Sequence, residues 1–417
     1  MPKSRTLLVI PLALALFGLP TASSPLAAAP ATDVTLPLLV TRGKAPAAAL
    51  LTREDPWPPA SPGQPEPQAA QQPDQRPRWH FTQTYKALIA RTDSNSNSNS
   101  NSNSTDTSAE TGTGTGTTDT PGVTASATGS TPGIRRTDHF RAGSITKTFI
   151  ATVVLQLAAE RRLSLSDSVE RHLPGLIRGE NDTDATDLDG RTLTLRALLT
   201  HTSGLADYTA GTKGLIPVTP LEAVRTALAL PATTPGRWSY SNTNYVVLGM
   251  VIKQVTGNAY ATEATHRIIT PLGLSGTSFP GARTTLPSPH GRAYTSEGED
   301  VTALNPRVAG AAGELISTLA DLDRFYAALL GGRLLPATQL HQMLNTRAAQ
   351  GRYGMGLYPQ KLPCGTTVWG HNGHIAGSYV RTAATRDGDR VLTFRVNTDG
   401  IADPTLERTL LAAEFCE

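Results

Sequence analysis

Apolar positions are unevenly spread along the chain, and from Asp138 onward they become dense and periodic. Phe149, Ile150, Val153, Val154 and Leu157 recur at three- and four-residue intervals, which predicts a helix beginning near Ser144 with these residues on one face. Further helices are expected at Leu221–Leu230, Tyr245–Val255, Thr318–Leu330 and Thr338–Leu344. The last portion turns to strands, expected at Arg352–Tyr358, Thr366–Gly370, Ser378–Thr385 and Arg390–Asn397, before a final helix Thr405–Glu414. Upstream, Ala47–Thr52 and Trp79–Arg91 read as neighbouring strands. Strands at both ends with helices between them predict an α/β (α+β) fold. One antiparallel sheet is built from the two termini and flanked by helices, with a mainly helical insert and a cleft between the layers.

Three stretches stand outside this pattern. Residues 54–78 are crowded with Pro and Gln, and residues 93–122 hold an Asn-Ser repeat and a Gly-Thr run. Neither can bury enough apolar surface to offset the entropy of ordering, so both are expected to be disordered loop inserts. Residues 1–29 join a basic start, Lys3 and Arg5, to an apolar run from Thr6 to Leu19 and then small residues. This reads as a cleaved export signal. An uncleaved anchor is the alternative, but Pro11 and Pro20 interrupt a run already short for a bilayer. The expected organisation is a signal at 1–29, N-terminal sheet strands with their inserts at 30–143, and a catalytic domain at 144–417 that completes the sheet.

Composition narrows the classes. In 417 residues, 37 Lys+Arg against 34 Asp+Glu leave a net charge of +3, which argues against a nucleic-acid binder. His and Cys are too scattered for a zinc module, no Gly-rich phosphate loop precedes a helix, and no later segment is apolar enough for a membrane span. The mature protein is expected to be secreted. Its two cysteines, Cys364 and Cys416, then meet conditions where disulfides persist, with two free buried thiols as the alternative.

Candidate chemistry lies in three pieces. Ser144-Ile145-Thr146-Lys147 puts a hydroxyl and an amine on one helix face. A hydroxyl needs a base to become a nucleophile, and a lysine serves once burial lowers its pKa. Alone, the four residues better describe a helix-capping serine and a solvated lysine. Tyr240-Ser241-Asn242 sets a phenol and an amide ahead of an apolar helix, where Tyr can relay a proton and Asn can position Lys147 or a substrate carbonyl. The plain alternative is Asn242 as an N-cap with Tyr240 packed beside it. His371-Asn372-Gly373 sits in a strand-like stretch, with Gly373 allowing close approach of a substrate backbone and the His374 N–H available as an oxyanion donor beside that of Ser144. A surface hairpin turn at Asn372-Gly373 is the alternative.

Ser-x-x-Lys, Tyr-x-Asn and His-x-Gly in that order resemble the serine penicillin-recognising enzymes, the β-lactamase/transpeptidase-like superfamily. The Tyr-x-Asn variant is similar to class C β-lactamases and to secreted S12-type D-alanyl-D-alanine carboxypeptidases. The flanking phrases FRAGSITKTF, LLTHTSGL, YSNTNY and YGMGLY extend the likeness from about Asp138 to Cys416. The resemblance implies Ser144 as the acylated nucleophile, Lys147 as its base and Tyr240 as proton relay to the leaving group and deacylating water. It implies Asn242 holding the substrate amide, His371 polarising the Tyr240 end of the cleft, and a Cys364–Cys416 disulfide. It assigns no chemistry to His201 and Ser203, and implies no metal or organic cofactor.

The expected function is a secreted serine hydrolase, D-alanyl-D-alanine carboxypeptidase-like, acting on cell-wall peptides and acylated by β-lactams. Alternatives are an esterase, a D-amino-acid amidase or a β-lactamase on the same scaffold, or a binding protein without turnover. Substrate stays open because the Thr and Arg that grip a terminal carboxylate in such carboxypeptidases are replaced by Asn372 and Tyr358. Lys361 is near but displaced, His374 follows Gly373 where a small residue is common, and Thr209–Thr219 replaces a longer pocket wall.

Overall fold

The computed structural model describes residues 30–54, 78–85, 133–178 and 188–416. The expected signal and nearly all of both inserts lie outside the described residues. Its main sheet has six antiparallel strands: β1 (Ala47–Glu54), β2 (Arg78–Tyr85), β5 (Tyr358–Lys361), β6 (Thr367–Ile375), β7 (Ser378–Ala384) and β8 (Arg390–Val396), in the spatial order β2-β1-β8-β7-β6-β5. β1 thus pairs with β8, Ala48 opposite Val396, so segments from the N-terminal and C-terminal portions of the described chain lie side by side. The two-residue strands β3 (Phe140–Arg141) and β4 (Ile316–Ser317) form a second ladder under the site.

Both faces of the sheet are covered, which explains why β1 reads AAALL rather than alternating. Ala47, Ala49 and Leu51 face the larger core, with the helices Thr146–Ala159 and Leu319–Leu330. Ala48 and Leu50 face a smaller core with Leu392, Phe394 and Val396 of β8 and Leu406, Leu410 and Leu411 of the helix Thr405–Phe415. The helix Thr146–Ala159 is buried from Thr146 to Leu155, not on one face only. It is the central helix of the helical layer, as its nearly continuous apolar sequence demands.

Cys364 and Cys416 are joined, tying the β5–β6 turn to the end of the last helix. Among the described residues no helix is long and apolar enough to cross a membrane.

Three expectations are corrected. Residues 352–357 are irregular, and the expected strand begins only at Tyr358. Gly354 and Gly356 allow that tight path, where a Cβ would meet the Met343 and Lys147 carbonyl oxygens at 2.2 and 2.8 Å. The helix expected from Tyr245 starts at Asn242, with Ser241 as its N-cap residue. The strand expected to stop at Gly370 runs through His371-Asn372-Gly373 to Ile375, and the hairpin turns at Ala376-Gly377. Asn372-Gly373 is therefore not a turn: pairing with Arg381 and Val380 on β7 holds it extended.

Candidate active site

Ser144 sits in a short 3-10 turn, Gly143–Ile145, that leads into the central helix. Gly143 is left-handed, φ 52°, and backs onto β6, where a Cβ would lie 2.7 Å from the His374 nitrogen. Gly373 is held as tightly: a Cβ there would fall 1.9 Å from the Ala142 carbonyl oxygen. Gly373 makes room for the nucleophile turn, not for a substrate backbone as expected from sequence. Ile375 and Ser378 close the hairpin, so antiparallel alternation turns the His374 N–H to the open edge of β6, beside Ser144. That edge and the helix start together provide the oxyanion position.

Lys147 is fully buried. Its Nζ lies 2.9 Å from Ser144 Oγ, 2.8 Å from Asn242 Oδ1 and 2.7 Å from the Ala312 carbonyl oxygen. The last two partners only accept. A neutral amine can therefore donate both hydrogens to them and direct its lone pair at the Ser144 hydroxyl. Burial pushes the Lys147 amine down to about 7, opposed by the nearby Asp207 carboxylate.

Tyr240 hydrogen-bonds Ser144, while burial holds the phenol well above its ordinary value. It stays protonated at neutral pH, so it can donate or relay a proton, and Lys147 is the group able to accept one. Asn242 Nδ2 donates to Asp207 Oδ2 at 2.9 Å, which fixes its carbonyl end on Lys147.

His371 is near this cluster but not part of it. Its Nδ1–H donates to the Asn372 carbonyl oxygen at 2.5 Å, and its Nε2 accepts from the Tyr353 hydroxyl at 2.9 Å. Burial, reinforced by Lys147, lowers its pKa to about 3, so the ring is neutral with both nitrogens engaged. Its ring centroid is 6.3 Å from that of Tyr240. His371 was expected to polarise the Tyr240 end of the cleft; its two ring nitrogens are instead taken by the Asn372 carbonyl and the Tyr353 hydroxyl.

The open cleft is a cavity of about 910 Å³, with Ser144, Tyr240, Asn242, Asn372 and His374 in its walls. The Thr209–Thr212 turn, Lys213 and Leu215 form one side, and Asp207 and Asp399 also line it. Asn372 Oδ1 accepts from the Tyr358 hydroxyl at 3.2 Å. Behind Tyr358 lies a buried guanidinium, Arg381, 4.6 Å from the ring centroid and paired with Glu407 at 3.2 Å. Tyr358 thus stands between this cation and Asn372. Lys361 is exposed at the end of β5.

Five contributors carry no role in the sequence reading. His201 stacks on Tyr240 at 4.3 Å, and its Nδ1 accepts from the Ser241 N–H at 3.2 Å and from Asn244 Nδ2 at 3.0 Å. Ser203 Oγ donates to Asn244 Oδ1 at 2.6 Å. The LLTHTSGL phrase therefore locks the start of the Asn242–Thr256 helix and the face of Tyr240. Asp207 and the Ala312 carbonyl carry no sequence signal, whereas Tyr353 opens the YGMGLY phrase.

An antiparallel sheet made from both chain ends, a helical layer and a Ser–Lys–Tyr cluster between them define a protein of the β-lactamase/transpeptidase-like superfamily. The Beta-lactamase family model matches residues 107–416, and the chain belongs to that family of serine hydrolases. It is 31% identical over 222 residues to the putative penicillin-binding protein PbpX of Bacillus subtilis, covering 52% of this chain and 53% of that relative, about half of its length. Penicillin-binding protein 4 of Amycolatopsis lactamdurans is 29% identical over 289 residues, 63% of this chain and 73% of its own. Among solved structures, a D-stereospecific amidohydrolase from Streptomyces sp. is 34% identical, with TM-score 0.69 over 93% of this chain and 98% of that one. The D-amino acid amidase of Ochrobactrum anthropi SV3 shares the fold at 22% identity, with TM-score 0.64 over 92% and 97% of the two chains.

Proposed function

We propose that the protein is an exported serine amidohydrolase that cleaves the carboxamides of D-amino acids, releasing ammonia, through an acyl-enzyme on Ser144. The observation that carries this reading is Lys147, a buried amine with a depressed pKa whose one non-obligate acceptor partner is the Ser144 hydroxyl. Neutral Lys147 takes the Ser144 proton as Oγ attacks the acyl carbon. The carbonyl oxygen gathers charge against the Ser144 and His374 N–H groups. Tyr240 passes a proton to the departing amine, and water then releases the acid by the reverse route.

An amide substrate is favoured over a D-alanyl-D-alanine carboxypeptidase substrate by the Asn372 edge. A terminal carboxylate would meet Asn372 and Tyr358 there, while Arg381 is buried behind the Tyr358 ring. The likeness to the Streptomyces D-stereospecific amidohydrolase supports the same choice. Covalent capture of β-lactams is supported by the Ser144–Lys147–Tyr240 cluster and by the likeness to penicillin-binding proteins. Export is supported by the composition of residues 1–29 and by the Cys364–Cys416 bond.

The test compares D-phenylalanine amide, a D-Ala-D-Ala peptide and a labelled penicillin on the wild type and on Ser144→Ala. Amide turnover that disappears in the variant, with label on the peptide containing Ser144, is the expected result. Release of D-Ala in preference to ammonia restores the carboxypeptidase reading. Label on another peptide removes Ser144 as nucleophile.

A further inference from the structure

The segment Val308–Leu315 is a partition. One face belongs to the active site: Ala312 accepts from Lys147, the Leu315 N–H donates to Thr146 Oγ1 at 3.0 Å, and the Ala142 N–H donates to the Leu315 carbonyl at 2.7 Å. The other face closes a second cavity of about 400 Å³, and Ala309 is in the wall of both. Val218, Ala223, Val246 and Met250 make this second cavity largely apolar.

Its polar groups are few and ordered by depth. Glu314 lines it while only 4% exposed, and among the described residues its side-chain hydrogen-bond partner is the Tyr260 hydroxyl, 2.7 Å from Oε1. Arg307 and Lys253, both exposed, stand in the lining as well. A buried carboxyl inside an apolar wall is costly unless a cation or donor meets it. Burial has already pushed Glu314 up to about 7, with Arg307 too weak an influence to reverse it. A ligand with an ammonium for Glu314, a carboxylate for Arg307, whose charge Glu314 feels, and an apolar side chain for the remaining walls matches this lining.

We propose that this second cavity is a binding site for a free apolar α-amino acid, distinct from the catalytic cleft. The bound molecule would rest against the wall whose far side holds Lys147. A free amino acid is also what the proposed reaction releases, but the site stands on its own geometry and its test uses no turnover.

Ser144→Ala protein is titrated calorimetrically with D- and L-phenylalanine, phenethylamine and 3-phenylpropionate, and the titrations are repeated with Glu314→Gln and Met250→Trp added. Phenylalanine should bind at one site per chain, with phenethylamine weaker and 3-phenylpropionate weaker still. Glu314→Gln should weaken phenylalanine roughly tenfold or more, the scale of a charge-assisted hydrogen bond. Met250→Trp, which fills the cavity without touching a charge, should abolish binding. Absence of binding at millimolar phenylalanine overturns the proposal. So does binding that persists in both variants, because the amino acid is then in the catalytic cleft.

Discussion

Acylation of Ser144 should titrate on Lys147, and Asp207 should set where. With the amine pushed down to about 7, the active neutral form dominates above that pH. The second-order rate of the free enzyme should approach a tenfold fall per pH unit below it, roughly fiftyfold from pH 7 to pH 5. Asp207 is the charge that holds this midpoint up, since it favours the ammonium. It reaches Lys147 through one amide, with hydrogen bonds of 2.9 and 2.8 Å on its two sides. That places the carboxylate about 6 Å from the amine, and at an effective dielectric of ~20 the attraction is about 3 kcal/mol, or roughly 2 pH units. Asp207→Asn keeps an oxygen for Asn242 Nδ2 while removing the charge, so the midpoint should move down by about 1–2 units. The measurement is the labelling rate of Ser144 by a serine-directed fluorophosphonate or a chromogenic ester between pH 5 and 9. A wild-type midpoint above 9, or an Asp207→Asn midpoint that stays put or rises, refutes Lys147 as the base poised by that charge.

Further tests address the supporting structure. Gly373→Ala should drive a Cβ against the Ala142 carbonyl, costing about 1–3 kcal/mol in urea unfolding and slowing Ser144 labelling by roughly a hundredfold; wild-type labelling in a folded variant counts against the close contact. Tyr353→Phe leaves His371 Nε2 buried without its donor, so stability should drop by about 1–3 kcal/mol while kcat/KM changes less than about tenfold. If a large loss of activity appears at unchanged stability, His371 and Tyr353 act in the chemistry after all. Cys416→Ser opens a 52-residue loop and should cost up to about 4 kcal/mol, seen as a Tm lower by several degrees in calorimetry. Labelling kinetics should be unchanged, because the disulfide flanks the opposite end of β6 from His374.

Much of the fold and the chemical core is legible in local sequence. Helical periods located the helix ends within a few residues, because a half-turn of misplaced apolar surface is costly. Ser144-x-x-Lys147 carried its own geometry, since three residues along one helix leave the two side chains adjacent. The strand through His371 was less legible: Asn-Gly is strong turn chemistry, and only pairing with β7 overrides it.

What the tertiary structure alone decided concerns groups that are neighbours only after folding. His371 was expected to polarise the Tyr240 end of the cleft, yet its Nε2 is bonded by Tyr353, eighteen residues upstream. Asp207 and the Ala312 carbonyl reached Lys147 with no motif to announce them, because any backbone carbonyl and any loop aspartate look alike in a sequence. The lowered pKa of Lys147 belongs to the same class. Residue types and local spacing follow from covalent connectivity and propensity, whereas desolvation and charge coupling depend on distances between segments that are set only when the helical layer closes on the sheet.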